Sequence, residues 1–107
     1  MSMLGWEIHI VNSANGYEYG SWLGGINTTK WLERLVKDEK AEKTYQVASS
    51  YYLIKAKDLI PEITNFEIAN KNGVAIEGWI SDYVMDINKL KQCKLDEVIR
   101  VQTYDAS

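Results

Sequence analysis

Apolar and polar residues alternate along Trp6-Glu7-Ile8-His9-Ile10-Val11. Trp6, Ile8 and Ile10 share one face and Glu7, His9 and Val11 the other, the pattern of a half-buried strand. Turn formers fill the five residues Asn12–Gly16. Tyr17–Leu23 then returns as a second strand and closes a hairpin; Gly20 weakens that strand or marks a bulge, and Gly24-Gly25 breaks it. At Trp31, Leu32, Leu35 and Val36 the period changes to that of a helix. Asn27, Thr28 or Thr29 is its expected cap, since each offers a side-chain oxygen to the free amides of the first turn. The helix is predicted to run to about Glu42, with a solvated, wholly polar end over Lys37–Lys43 and a Glu33–Lys37 pair one turn apart.

Thr44–Ile60 supports two patterns. Tyr45, Ala48, Tyr52, Ala56 and Leu59 fit one helical face, whereas Ser50–Ile54 has the β-branched and aromatic content of a strand. A strand over Ser49–Lys55 and a short helical turn over Asp58–Ile63 is the reading adopted. Pro61 lacks an amide donor and would kink a helix through Leu59–Thr64. Phe66–Asn70 and Val74–Ile80, joined through Asn72-Gly73, read as a second hairpin, because Asn-Gly supplies the positive φ angles of a tight turn. Phe66 and Ile68 would then share a buried face with Val74, Ile76 and Ile80. Tyr83–Ile87 and Glu97–Tyr104 read as further strands, with a short helix or loop over Asn88–Lys94 between them. These elements predict a single α+β domain over residues 1–107: a mainly antiparallel sheet of four to six strands with one substantial helix on one face.

Composition narrows the function classes. The chain is 46% hydrophobic and 25% charged, which is ordinary for a folded domain and excludes wholesale disorder. Its net charge of −3 is uneven: residues 1–57 hold six acids and seven bases, residues 58–107 nine acids and five bases. No Lys/Arg run offers the counterion release that direct nucleic-acid binding needs, so an acidic C-terminal half points instead to solubility or to a basic partner. The single cysteine, Cys93, forbids an intrachain disulfide and fits a reducing compartment. No basic-then-apolar leader opens the sequence and no apolar run approaches the length that crosses a bilayer. A soluble, cytoplasmic protein without membrane association is the expectation.

Candidate chemistry is sparse. His9 is the only histidine, and Glu7 lies two residues away on the same strand face, close enough for a carboxylate–imidazole contact. Cys93 lies between Gln92 and Lys94 without a local nucleophile signature. One Cys and one His cannot supply a structural zinc set. Asp82 and Asp86 are the nearest carboxylates for a hard cation but lack the calcium-loop pattern. Gly20–Thr29 opens a helix yet lacks the P-loop lysine and the spaced dinucleotide glycines. No catalytic residue, metal site or cofactor is therefore assigned, and the balance leans away from an enzyme.

Seven tyrosines and four tryptophans against one phenylalanine are what remains. Tyr and Trp join a large contact area to a polar tip and are enriched at interfaces. Trp6 and Trp31 sit at core-like positions. Tyr17, Tyr19, Trp22 and Trp79 are harder to place wholly inside. With Glu18, Glu77, Asp82, Tyr83 and Asp86 they make the candidate partner-binding set. In length, composition and these acidic Trp22 and Trp79 segments, the chain resembles the immunity proteins of bacterial toxin–immunity systems. That resemblance implies a protein that binds and neutralises a cognate toxin domain, often a basic nuclease. Two other readings stand beside it. The strand–helix–strand halves resemble the ferredoxin-like dimeric α+β barrel oxygenases, some of which use Asn, Trp and His to handle haem. Asn12 and Trp79 imitate two of those roles, but no histidine follows His9. The third reading is a homo-oligomer whose aromatic patch meets itself.

Overall fold

The computed structural model of the chain describes residues 5–46, 49–74 and 78–105. The N-terminal alternation produces β1 (Gly5–Asn12), which pairs with β2 (Glu18–Gly25). The chain continues through a 3-10 turn (Ile26–Thr29), α1 (Lys30–Lys37), β3 (Ala41–Gln46), β4 (Ser49–Lys55), α2 (Ala56–Lys71), β5 (Ile80–Met85), α3 (Ile87–Lys91) and β6 (Val98–Asp105). The six strands form one sheet in the order β3-β4-β6-β1-β2-β5, every neighbouring pair antiparallel. The fold is α+β with a mainly antiparallel sheet, as the hydrophobic pattern predicts. No helix among the described residues is long and apolar enough to cross a membrane.

Both helices of eight or more residues end differently from expectation. After Val36 the apolar stripe of α1 has nothing to continue it. Asp38 caps the helix and Glu39 takes a left-handed conformation (φ 60°). The Lys40 amide then donates to Leu35 O (2.8 Å) and the Glu39 amide to Val36 O (3.0 Å), a Schellman closure. Such a stop is usually signalled by glycine; here glutamate occupies it. The residues expected to extend the helix to Glu42 instead lead into the edge strand β3. None of Asn27, Thr28 and Thr29 caps α1 through its side chain. Thr28 is buried, and its Oγ1 accepts from the Trp22 indole (2.9 Å).

The hairpin expected over Phe66–Ile80 is a helix through its first half. α2 runs unbroken past Pro61, whose missing amide deprives only the carbonyl of exposed Lys57 of a donor. The buried residues Leu59, Ile63, Phe66 and Ala69 recur at helical spacing. Asn72-Gly73 is again a Schellman stop. Gly73 has φ 66°, its amide donates to Asn70 O (3.3 Å), and the Val74 amide donates to Ala69 O (2.9 Å). One dipeptide serves either turn, because both require a residue in the left-handed region. The other half of the expected hairpin falls partly on residues 75–77, outside the described residues. The Tyr83–Ile87 strand lies instead at Ile80–Met85; Ile87 opens α3, capped by Asp86, whose Oδ1 accepts from the Lys89 amide (3.1 Å).

α1, α2 and α3 pack on one face of the sheet. Ile8, Ile10, Trp22, Tyr52, Ile54, Ile99 and Val101 meet Trp31, Leu32, Leu59, Ile63, Phe66 and Leu90 there in one buried cluster. Trp22 lies at its centre, with ring centroids 4.9 Å from Phe66, 6.1 Å from Trp31 and 5.8 Å from Tyr83. No described helix packs on the opposite face.

The helical assignment of α2 makes a sharp prediction. A hairpin would bury Phe66 and Ile68 together, whereas the helix buries Phe66 and leaves Ile68 54% exposed. Phe66→Ala should lower stability by about 3–5 kcal/mol, and Ile68→Ala should shift it by no more than about 0.5 kcal/mol. Urea denaturation of the two variants checks this; comparable losses would restore the hairpin.

Candidate functional site

The uncovered sheet face is built from cross-strand rows, because directly opposite residues in an antiparallel sheet point to the same side. Three rows cross it. The first is Leu23, Glu7, Tyr104 and Ser49; the second is Ser21, His9, Gln102 and Tyr51; the third is Glu18, Val11, Arg100 and Leu53. Each extends onto β3, through Gln46, Thr44 and Glu42 respectively.

Glu18 enters the third row because of a bulge. In β2, Gly20 opposes Ile10 and Glu18 opposes Val11, so Tyr19 is an extra residue in the ladder. Uninterrupted alternation would have put Tyr19 on the open face and Glu18 on the core face. The bulge exchanges them. Tyr19 turns inside, only 6% exposed, where its hydroxyl accepts from Asn12 Nδ2 (2.9 Å) and lies 3.1 Å from Cys93 Sγ. Burial, with the Cys93 contact next, pushes the Tyr19 phenol up to about 12. Glu18 turns outward and meets His9.

His9 is held at both nitrogens. Nδ1 lies 2.6 Å from Glu18 Oε1 and Nε2 lies 2.7 Å from Glu7 Oε1, and the Tyr104 ring meets the imidazole edge-on. Burial disfavours the charged ring, but the hydrogen bonds and charges of Glu7 and Glu18 outweigh it and raise the pKa above 6.5. When both nitrogens donate, the ring is an imidazolium with no lone pair to take a proton from its row neighbour Ser21. The arrangement suits charge organisation better than general-base catalysis.

The carboxylates continue toward β5. Glu7 and Asp82 line one shallow depression of about 230 Å³ with Ser21, Trp22 and Leu23. Asp82 has φ 52° at a register shift between β2 and β5. On the other side, Arg100 lies with its guanidinium carbon 5.9 Å from the centre of the Tyr51 ring, and its buried Nε has no protein acceptor among the described residues. The face is thus polar in the electrical sense: acidic over β1, β2 and β5, cationic at Arg100 on β6.

The residues expected to form a partner surface divide. Glu18 and Asp82 belong to this face. Tyr17 is exposed at the hairpin end, its hydroxyl 3.4 Å from Asp86 Oδ2, and so keeps Asp86 company at the rim. Trp22 and Tyr19 are core residues and leave the set. Tyr83 is half-buried and donates to Glu67 Oε2 (2.8 Å). Trp79 is 45% exposed against Gly25, at the end of the sheet away from Tyr17. Glu77 lies outside the described residues. Sequence reasoning missed Arg100, Gln102 and Tyr104, although their alternation with buried Ile99, Val101 and Thr103 was there to be read. It missed the Glu18–His9 contact because a bulge inverts parity without a clear marker.

The other chemical candidates resolve into structure. Asn12 is fully engaged: Oδ1 accepts from the Ala14 and Asn15 amides, and Nδ2 donates to Tyr19 and to Glu97 Oε2 (2.6 Å). It closes the β1–β2 loop and has no amide atom to spare for a haem ligand. Gly24 packs against Thr28 and Gly25 against the Trp79 indole, so these glycines provide close packing in place of a phosphate cradle. No group of three or more His, Cys, Asp or Glu among the described residues is arranged to hold a metal ion. Comparison with known proteins finds no matching family model, curated protein or solved structure.

The clamp on His9 is open to direct titration, because the chain has one histidine. The proton NMR midpoint of the ring should lie above 6.5, and Glu18→Gln should lower it. A folded-state pKa raised above the unfolded value makes the clamp's stabilisation complete below about pH 6.5 and lost as pH rises through the raised midpoint. The stability difference between wild type and His9→Gln should shrink over that interval. A midpoint at or below 6.5 would remove the clamp.

Proposed function

We propose that this chain is a non-enzymatic protein-binding module that receives a basic partner on its uncovered sheet face, in the manner of an immunity protein neutralising a toxin domain. The observation that carries the reading is the one-sided helix layer. It leaves a broad, ordered surface in which Glu7 and Glu18 hold His9 and Asp82 shares a depression with Glu7. That surface remains net negative with the imidazolium counted. Fixed carboxylates of this kind steer a basic partner and speed its encounter. Leu23, Leu53 and Tyr104 lie in the same rows and supply apolar contact area. Arg100, half-buried as a residue, sets orientation, since its guanidinium can take a partner carboxylate or main-chain carbonyl. Tyr17 and Asp86 extend the acidic, aromatic character to the rim.

The test begins with a partner captured from the native host, identified by mass spectrometry and purified. Glu7→Lys and Asp82→Lys should each weaken binding by about tenfold, mainly through slower association that is less salt-dependent than in wild type. Asn65→Lys, an exposed position on α2, should leave affinity unchanged. Co-expression should relieve a growth defect caused by the partner alone. Affinity untouched by the two sheet-face reversals would overturn the docking face, and a partner that is harmless alone would overturn the neutralising role.

A further inference from the structure

The two edges of the sheet are not equivalent. The β5 edge carries Asp82 in a left-handed conformation and a broken register against β2, the kind of irregularity that blocks strand addition. The β3 edge has no such guard. Ala41–Gln46 contains no proline or glycine, has no residue at positive φ, and pairs with β4 without a register shift. The lysine that would ordinarily protect an edge is drawn inward: Lys43 Nζ donates to Glu33 Oε1 (2.8 Å) and lies 4.6 Å from the Tyr45 ring centre. Tyr45 is 75% exposed beside it. Along its outer side β3 meets no other described strand.

We infer that the outer edge of β3 pairs with β3 of a second copy of this chain, joining two sheets into one across a twofold axis. Symmetry restricts the register. A twofold that continues the sheet leaves each residue on the same face as its equivalent, so opposed residues must share a face and the axis must pass through a residue. An axis at Glu42 or at Lys43 sets like charges directly opposite, which is unfavourable. An axis at Tyr45 engages only the three residues Thr44–Gln46. An axis at Thr44 engages Glu42–Gln46 and opposes no like charges. It sets Thr44 against Thr44, Glu42 against Gln46, and Lys43 against Tyr45 of the second copy. Each ammonium then gains a second aromatic neighbour, and the main-chain groups of both edges find partners. The uncovered faces of the two copies lie side by side and stay open, so the pairing is independent of the docking function above.

Light scattering over a micromolar-to-millimolar concentration series tests this. The mass should rise from the chain's 12.3 kDa toward twice that value. Thr44→Lys places two lysines opposite each other on the axis and should raise the midpoint concentration about fivefold. Val84→Lys, an exposed change on β5, should not move it. Hydrogen exchange on the wild type adds a readout that needs no variant: alternate amides of Glu42–Gln46 should gain protection as concentration rises. A mass of one chain throughout, a dimer indifferent to Thr44→Lys, or β3 amides whose exchange ignores concentration would each overturn the proposal.

Discussion

Trp22 is the residue around which the layers are arranged. Its indole reaches from β2 into contact with α1, α2 and β5 through Trp31, Phe66 and Tyr83, and its one polar atom is satisfied by Thr28. Gly20 and Gly24, two residues to either side of Trp22 on the same sheet face, let neighbouring groups approach the strand closely. A Cβ on Gly24 would overlap Thr28, and one on Gly20 would overlap the Val84 carbonyl and the Met85 side chain. α1 and α2 meet the indole through Trp31 and Phe66, and α3 joins the same side through Leu90. The sheet therefore presents a second face to water, and its rows are built from residues that tolerate exposure: Glu, Gln, Ser, Arg and Tyr, with aliphatic side chains set between them.

That division depends on parity along each strand, and one residue changes it. Without the extra residue at Tyr19, Glu18 would lie on the core face as a buried carboxylate, which is costly unless paired, and Tyr19 would be exposed. With it, the phenol closes a buried network with Asn12 and Cys93, and the carboxylate reaches His9. The bulge thus links the closing of the β1–β2 hairpin to the composition of the open face. Exposed ion pairs contribute little to stability, so the His9 clamp matters chiefly for orientation. It fixes Glu7 and Glu18 at defined positions on a rigid sheet.

Much of this architecture is legible in the sequence. The alternation of Trp6–Val11 and of Glu97–Tyr104, the strand over Ser49–Lys55 and the apolar stripe of α1 are periodic signals, and they hold because each element buries one face only. The failures share a physical cause. Glu39 ends α1 in a conformation usually left to glycine. Asn72-Gly73 satisfies a hairpin turn and a helix stop equally well. Pro61 interrupts one hydrogen bond, less than the burial of Leu59, Ile63, Phe66 and Ala69 supplies. In each case tertiary packing decided between local options of similar energy. Trp22, expected among the partner-binding residues, is buried because Trp31, Phe66 and Tyr83 close over it, contacts between elements that no local pattern brings together.

The candidate face shows the same logic at the level of charge. A lysine at position 9 would also balance two carboxylates, but it would do so as a mobile point charge on a flexible stem. Imidazolium directs two N–H groups away from a rigid ring, one toward Glu18 on the neighbouring strand and one toward Glu7 on its own. The acid patch is thereby held in register with the sheet and is less negative than three carboxylates alone. As the pH rises through the His9 midpoint the ring loses one N–H and its positive charge, so one carboxylate is released and the face becomes more negative. A basic partner would then meet stronger attraction but a less ordered surface. Whether affinity rises or falls across that interval separates a partner held by long-range attraction from one held by the geometry of the clamp.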